Sequence, residues 1–109
     1  MKFNPKWTEE QRVQAVAKVK ALTEAFTVKK KPGKRNRSAA RMFRAIFGKN
    51  AIPAGVDVDH IVDLQLGGAD DILNMQLLDS SVNRSLGAQI RHAIKYYDEG
   101  TVFGEFTIS

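Results

Sequence analysis

DVDHIVDLQLGGADDILNMQLLDSSVNRSLGAQI, residues 57–90, is the stretch on which the reading of this chain turns. Val56, Val58, Ile61 and Val62 are β-branched and closely spaced, which predicts a strand. Gly67-Gly68 followed by Asp70-Asp71 predicts a turn, and the apolar run from Leu73 to Leu78 predicts a second strand, so the pair forms a hairpin with a long loop. Asp79 or Ser80 can cap a helix that continues to about Asp98, where Gly100 stops it. Asn83, Gly87, Ile90, Ile94 and Tyr97 follow at three- or four-residue steps and share one face of that helix. A glycine inside a helix costs about 1 kcal/mol relative to alanine, so Gly87 predicts a close approach by the hairpin.

Upstream of the hairpin the pattern is helical. Thr8-Glu9-Glu10-Gln11 has the form of a capping box, and Ala15, Val19, Leu22 and Phe26 form one apolar stripe of a first helix. Lys30-Lys31-Pro32-Gly33 breaks the pattern. Ser38 caps a second, short helix in which Met42, Phe43, Ile46 and Phe47 are expected to pack inward, ending at Gly48. Downstream, Val102 to Ile108 alternates as a short strand does. The expectation is an α+β fold in a single domain over residues 1–109: a helical and basic lead-in (1–50), a strand-loop-strand-helix core (56–98) and a tail (101–109).

Totals narrow the classes of function. A chain of 109 residues, 43% hydrophobic and 27% charged, suits one domain with a modest core. It has no cysteine, which excludes disulfides, thiolate zinc sites and a cysteine nucleophile. No apolar run approaches the roughly 20 residues of a membrane span, and no signal peptide is expected.

The net charge of +5 is unevenly spread. Lys29, Lys30, Lys31, Lys34, Arg35, Arg37, Arg41, Arg44 and Lys49 fall between Val28 and Asn50 with no acid among them. Setting these nine aside from the seventeen bases leaves eight against twelve acids, so one segment makes the protein cationic. Such a segment suits a polyanion, because each neutralised phosphate releases counterions. The alternative is a solvated loop followed by a cationic helix face.

Asp59 and His60 interrupt the first strand with polar groups. A carboxylate and an amide oxygen are hard donors suited to Mg2+, Mn2+ or Ca2+, and a neutral imidazole can take a proton from water near neutral pH. Adjacent strand residues point to opposite faces, so both can serve one site only where the strand ends or twists. The competing reading is a structural Asp-His hydrogen bond. For Asn83 the competing reading is a side chain bonded to loop backbone, which an amide in the buried stripe would need.

Asp59-His60, Asn74 fourteen residues after the histidine and Asn83 nine further on resemble the His-Asn-Asn variant of the HNH, or ββα-metal, nuclease superfamily. Over nearly the whole chain, NPKWTEEQRVQAVAKVKAL (4–22), the 57–90 stretch and EGTVFGEFTI (99–108) resemble the C-terminal nuclease toxin domain of Rhs-type polymorphic toxins. The resemblance implies a metal-dependent HNH endonuclease cutting DNA with low sequence specificity. In it, His60 is the general base, Asp59 and Asn83 hold one divalent metal (Mg2+, with Mn2+ as substitute), and Asn74 fixes the loop and the orientation of His60. Asp57 and Asp63 match no role in it and read as solvated or supporting, Asp63 being the better supporting candidate. It further implies a secreted effector released from a large carrier, frequently through type VI secretion. Such an effector acts in the cytoplasm of a competing bacterium and is neutralised by a cognate immunity protein, without membrane insertion. The final ligand is Asn where many HNH enzymes have His, which disfavours tight zinc binding. The position one turn beyond Asn83 is Leu86, so phosphate contacts fall to Arg35, Arg37 and Arg41, with Arg84 beside Asn83 but turned about 100° away. Arg91 and His92 read equally as surface residues or substrate contacts. An RNase on the same scaffold and a non-catalytic nucleic-acid-binding module are the alternatives, as is an interaction domain docking an acidic partner.

Overall fold

The structure is a computed structural model and describes residues 1–31, 38–48 and 50–109. The capping box forms as the sequence requires: Thr8 Oγ1 accepts from the Gln11 amide and the Gln11 side chain accepts from the Thr8 amide, opening α1 (Glu9–Glu24). After α2 (Ser38–Phe47) come β1 (Val56–His60) and β2 (Met75–Asp79), paired antiparallel with Val56 opposite Asp79 and His60 opposite Met75. Single turns of tight helix at Leu64–Leu66 and Ile72–Asn74 occupy the loop between them. Asp79 caps α3 (Ser80–Ile94) by accepting from the Val82 amide. The described residues thus form an α+β fold of three helices and one two-stranded sheet. A two-stranded sheet is marginal alone, so its stability rests on the helices that cover it.

Three apolar clusters supply that cover. Trp7, Ala15 and Val19 of the first helical region meet Leu78, Val82 and Leu86. Leu22 meets Leu66, Ile90 and Ile94. Ala39 and Phe43 of α2 sit on Met75, with Val58 and Ile72 beside them. Fully buried leucines such as Leu22, Leu66 and Leu86 each contribute about 1.5–3 kcal/mol. Polar contacts add direction: Trp7 Nε1 donates to Ser81 Oγ at 2.9 Å, and the Asp79 amide donates to Gln14 Oε1 at 3.0 Å, locking α1 against the start of α3.

Several expectations are corrected. Phe26 leaves the stripe of α1: it has a left-handed φ of 49° just past the helix and is 75% exposed. On α2 only Ala39 and Phe43 are buried, while Met42, Ile46 and Phe47 are exposed, because the hairpin is narrow and covers one side of a ten-residue helix. The buried stripe of α3 is Val82, Leu86, Ile90 and Ile94, so Asn83 and Gly87 flank it. A Cβ added at Gly87 would meet nothing within 4 Å, so no close approach explains that glycine. α3 ends at Ile94 rather than near Asp98. The tail forms no strand: it makes one bridge, Val28 to Val102, and packs Phe103, Phe106 and Ile108 against the clusters. The chain ends lie together, with the Met1 ammonium donating to Thr107 O, the Phe3 amide to Ser109 O and the Ser109 amide to Met1 O. Among the described residues no helix is long and apolar enough to cross a membrane.

Candidate active site

β1 ends at His60, and this termination resolves the problem of adjacent side chains pointing apart. Asp59 and His60 line one cleft of about 420 Å³, together with Asp63, Asp70, Asn83 and Gly87. Arg44 of α2 and Arg91, about two turns beyond Asn83 on α3, also line the cleft. A depression of similar volume, about 450 Å³, lies against Phe26, Val28 and Leu73, and its described lining has no histidine, lysine or arginine. Only the first combines donors, a titratable ring and cations.

Asn74 holds the loop by its amide. Its Oδ1 accepts from the Val62 amide at 3.0 Å, while Nδ2 donates to Val62 O at 2.9 Å and to Ala69 O at 2.8 Å. These bonds satisfy backbone groups that the hairpin ladder leaves unpaired past His60. The Asn74 side chain therefore braces the loop and is not among the residues that line the cleft.

His60 Nε2 lies 3.0 Å from Asp70 Oδ1. Read as Nε2–H donating to the carboxylate, this contact leaves the lone pair on Nδ1, the tautomer a general base needs. Asp70 was assigned only to the turn by its sequence position, since nothing in the spacing ties a loop aspartate to a histidine ten residues earlier.

Asp59 is 9% exposed, and its Oδ2 accepts from Lys18 Nζ at 2.9 Å and Gln76 Nε2 at 3.0 Å. Lys18 is the residue that the sequence reading missed. Its side chain is 3% exposed, and its ammonium also donates to His60 O and to Ile61 O, at 2.9 Å for the latter, with Asp63 Oδ1 2.8 Å away. An ammonium has three protons for these four oxygens, and Asp63 Oδ1 is held by charge without a hydrogen bond. A signal was present: Lys18 stands three residues after Ala15 and four before Leu22, on the buried stripe of α1.

Asp57, read as solvated or supporting, is the acceptor of a compact network. It takes Ser80 Oγ at 2.7 Å, Asn83 Nδ2 at 2.9 Å, and Arg84 Nε and Nη2 at 3.3 Å each. Asn83 is thus oriented by Asp57, with its carbonyl oxygen left for another partner. Arg84 is engaged by Asp57 and does not line the cleft. Arg41 is exposed on α2, and Arg35 and Arg37 lie outside the described residues.

Burial alone would push the Asp57 carboxyl up, but the hydrogen bonds from Asn83, Ser80 and Arg84 and the charge of Arg84 outweigh it and hold Asp57 below the ordinary 3.8. A depressed folded-state value stabilises the protein above the unfolded value, and this contribution is lost as pH falls through the folded one. Asp57→Asn is therefore expected to flatten the dependence of the urea midpoint on pH below the ordinary carboxylate range. An acid limb identical to that of the unmodified protein would show that the network contributes nothing to folding.

No protein family, curated protein or solved structure matches this chain. Among the described residues no three His, Cys, Asp or Glu side chains are grouped to hold a metal ion. The donors in question, Asp59 with Asn83, are one carboxylate and one amide, a set that suits a cation retaining most of its water, as Mg2+ does. The negative balance of Asp59 and Asp63 over Lys18 fits such a cation.

Proposed function

We propose that this chain is a metal-dependent endonuclease of the HNH, ββα-metal type that hydrolyses DNA phosphodiesters with low sequence specificity. The observation that carries the reading is the meeting of Asp59, His60 and Asn83 in one cleft with Arg44 and Arg91, from three elements, β1, α2 and α3. A structural Asp-His pair would not need two arginines beside it.

In this reading His60 Nδ1 takes a proton from water while that water's oxygen bonds to phosphorus, and the bond from phosphorus to the 3′ oxygen breaks, that oxygen taking a proton from solvent water, leaving 5′-phosphate and 3′-hydroxyl ends. Asp70 holds the ring and stabilises the imidazolium that forms. Asp59 and Asn83 would hold Mg2+ or Mn2+, which when bound supplies charge stabilisation to the phosphorane and the departing oxygen. Asn74 and Asp57 keep the loop and the Asn83 amide in place. No step requires a 2′-hydroxyl, which favours DNA over RNA.

Arg44 and Arg91 are assigned to the phosphates flanking the cut. Arg44→Ala and Arg91→Ala should each weaken duplex binding by about tenfold at low salt. Each should also reduce the slope of log affinity against log salt by about one. Fluorescence anisotropy with a labelled duplex checks both, and unchanged slopes would remove these arginines from the interface.

Resemblance of sequence supports the wider role: a toxin domain carried by an Rhs-type protein, delivered into the cytoplasm of competing bacteria and blocked by an immunity protein. Supercoiled-plasmid cleavage with Mg2+ or Mn2+, abolished by EDTA, tests the activity. Folded protein that leaves plasmid intact and degrades RNA would move the reading to an RNase. Folded protein that binds duplex and cuts neither would move it to a binding module.

A further inference from the structure

We propose that Lys18, carried by α1 outside the hairpin and α3, is a positioning residue of the proposed centre, clamping one oxygen of Asp59 so that the other is presented to the cation. The inference rests on the nuclease reading and extends it to a helix with no part in the motif. Burying a lysine on an apolar stripe is a poor way to gain stability, since a hydrophobic side chain of the same length would pack there without desolvating a charge. What the ammonium does instead is specific. It binds Asp59 Oδ2 and the carbonyls of His60 and Ile61, the point where β1 stops and the chain turns. It therefore fixes both the carboxylate and the strand end that lets Asp59 and His60 serve one cleft.

Gln76, opposite Asp59 in the sheet, donates to the same Oδ2 at 3.0 Å from the other strand. Oδ2 is held by two donors, and among the described residues Oδ1 receives none. Asp63 completes the arrangement by offsetting charge. With Lys18, the two carboxylates leave one net negative charge beneath the cleft.

That balance supplies a clean test. Lys18→Met alone leaves the buried Asp59 and the partly buried Asp63 without their cation and is expected to compromise folding. Lys18→Met with Asp63→Asn keeps the single negative charge while removing the clamp, and with one carboxylate fewer left without its cation it is expected to be less destabilised than Lys18→Met alone. The full chain, the double variant and Gln76→Leu are compared by calorimetric Mn2+ titration without DNA, by duplex binding in EDTA, and by the Mn2+ concentration giving half-maximal cleavage. The double variant should bind duplex within about twofold of the unmodified protein, yet need roughly tenfold to a hundredfold more Mn2+ in both metal readouts. Gln76→Leu should shift the same readouts in the same direction by a smaller factor.

A folded double variant with unmodified Mn2+ affinity would overturn the role of Lys18. Should the double variant unfold, unchanged Mn2+ affinity in Gln76→Leu would overturn the clamp. Failure of the unmodified protein itself to bind Mn2+ and cut DNA would instead overturn the metal centre on which the inference rests.

Discussion

His60→Ala should lower plasmid cleavage by about a hundredfold to ten-thousandfold, the range that a positioned general base contributes. Folding should be nearly untouched. Among the described residues the side chain of His60 makes one hydrogen bond, to Asp70 at a partly exposed position, while its backbone is held by pairing with Met75 and by Lys18. The unfolding free energy from urea titration should therefore fall by less than about 1 kcal/mol, as for a partly exposed hydrogen bond. Duplex affinity measured in EDTA should also hold, since the phosphate contacts are assigned to Arg44 and Arg91. A variant that keeps binding and stability but loses turnover separates a chemical role from a structural one. Cleavage at full rate in His60→Ala would remove His60 as the base.

Gly68→Ala is expected to be the most damaging single methyl in the molecule. Its Cβ would stand 1.9 Å from Val62 O, 2.6 Å from Val62 C and 3.0 Å from Asp63 O, all of them backbone atoms. A flexible side chain can step aside; these atoms cannot, because the Asn74 amide brackets Val62 and the Gly68 amide donates to Asp63 O at 3.0 Å. The neighbouring Gly67 is glycine for a different reason, its φ of +83° closing the turn after Leu66. Relief of the Gly68 clash requires the loop to lift away from β1, displacing Asp63 and Asp70 together. Destabilisation of about 3 kcal/mol or more follows, at the upper end of overpacking costs, with cleavage lost at temperatures where the protein otherwise stays folded. Thermal unfolding followed by circular dichroism measures it, and a melting temperature within a degree or so of the unmodified protein would show that the loop accommodates the methyl.

Much of this arrangement was legible from local signals. Thr8 and Gln11 announce the start of α1, and Asp79 announces α3, because capping is settled by side chains within three residues of the backbone they bind. The paired glycines and Asn74 likewise mark a loop, and the side-chain bonds of Asn74 reach at most a dozen residues. The illegible parts depend on neighbours distant in sequence. Periodicity marks an apolar face of α2 but does not say that the hairpin covers only Ala39 and Phe43 of it. It finds Ile90 and Ile94 in the buried stripe of α3 but puts Asn83 and Gly87 where Val82 and Leu86, one residue earlier, are buried; Asn83 and Gly87 border the cleft. Lys18 meets Asp59 across 41 residues and is visible in sequence only as a cation on the wrong side of a helix. Asp57 and Arg84 form their pair only when β1 lies alongside the first turn of α3.

The lacing of Met1, Phe3, Thr107 and Ser109 gives the chain the connectivity of a nearly closed ring. Adjacent termini are the condition under which domains tolerate insertion and circular permutation. A larger protein could join this domain through either end, or host it as an insert through both, with the attachment leaving the fold from the same place. Joining the ends and reopening the chain between α2 and β1 would keep all the elements that line the cleft while letting β1, β2 and α3 emerge ahead of α1 and α2 during synthesis.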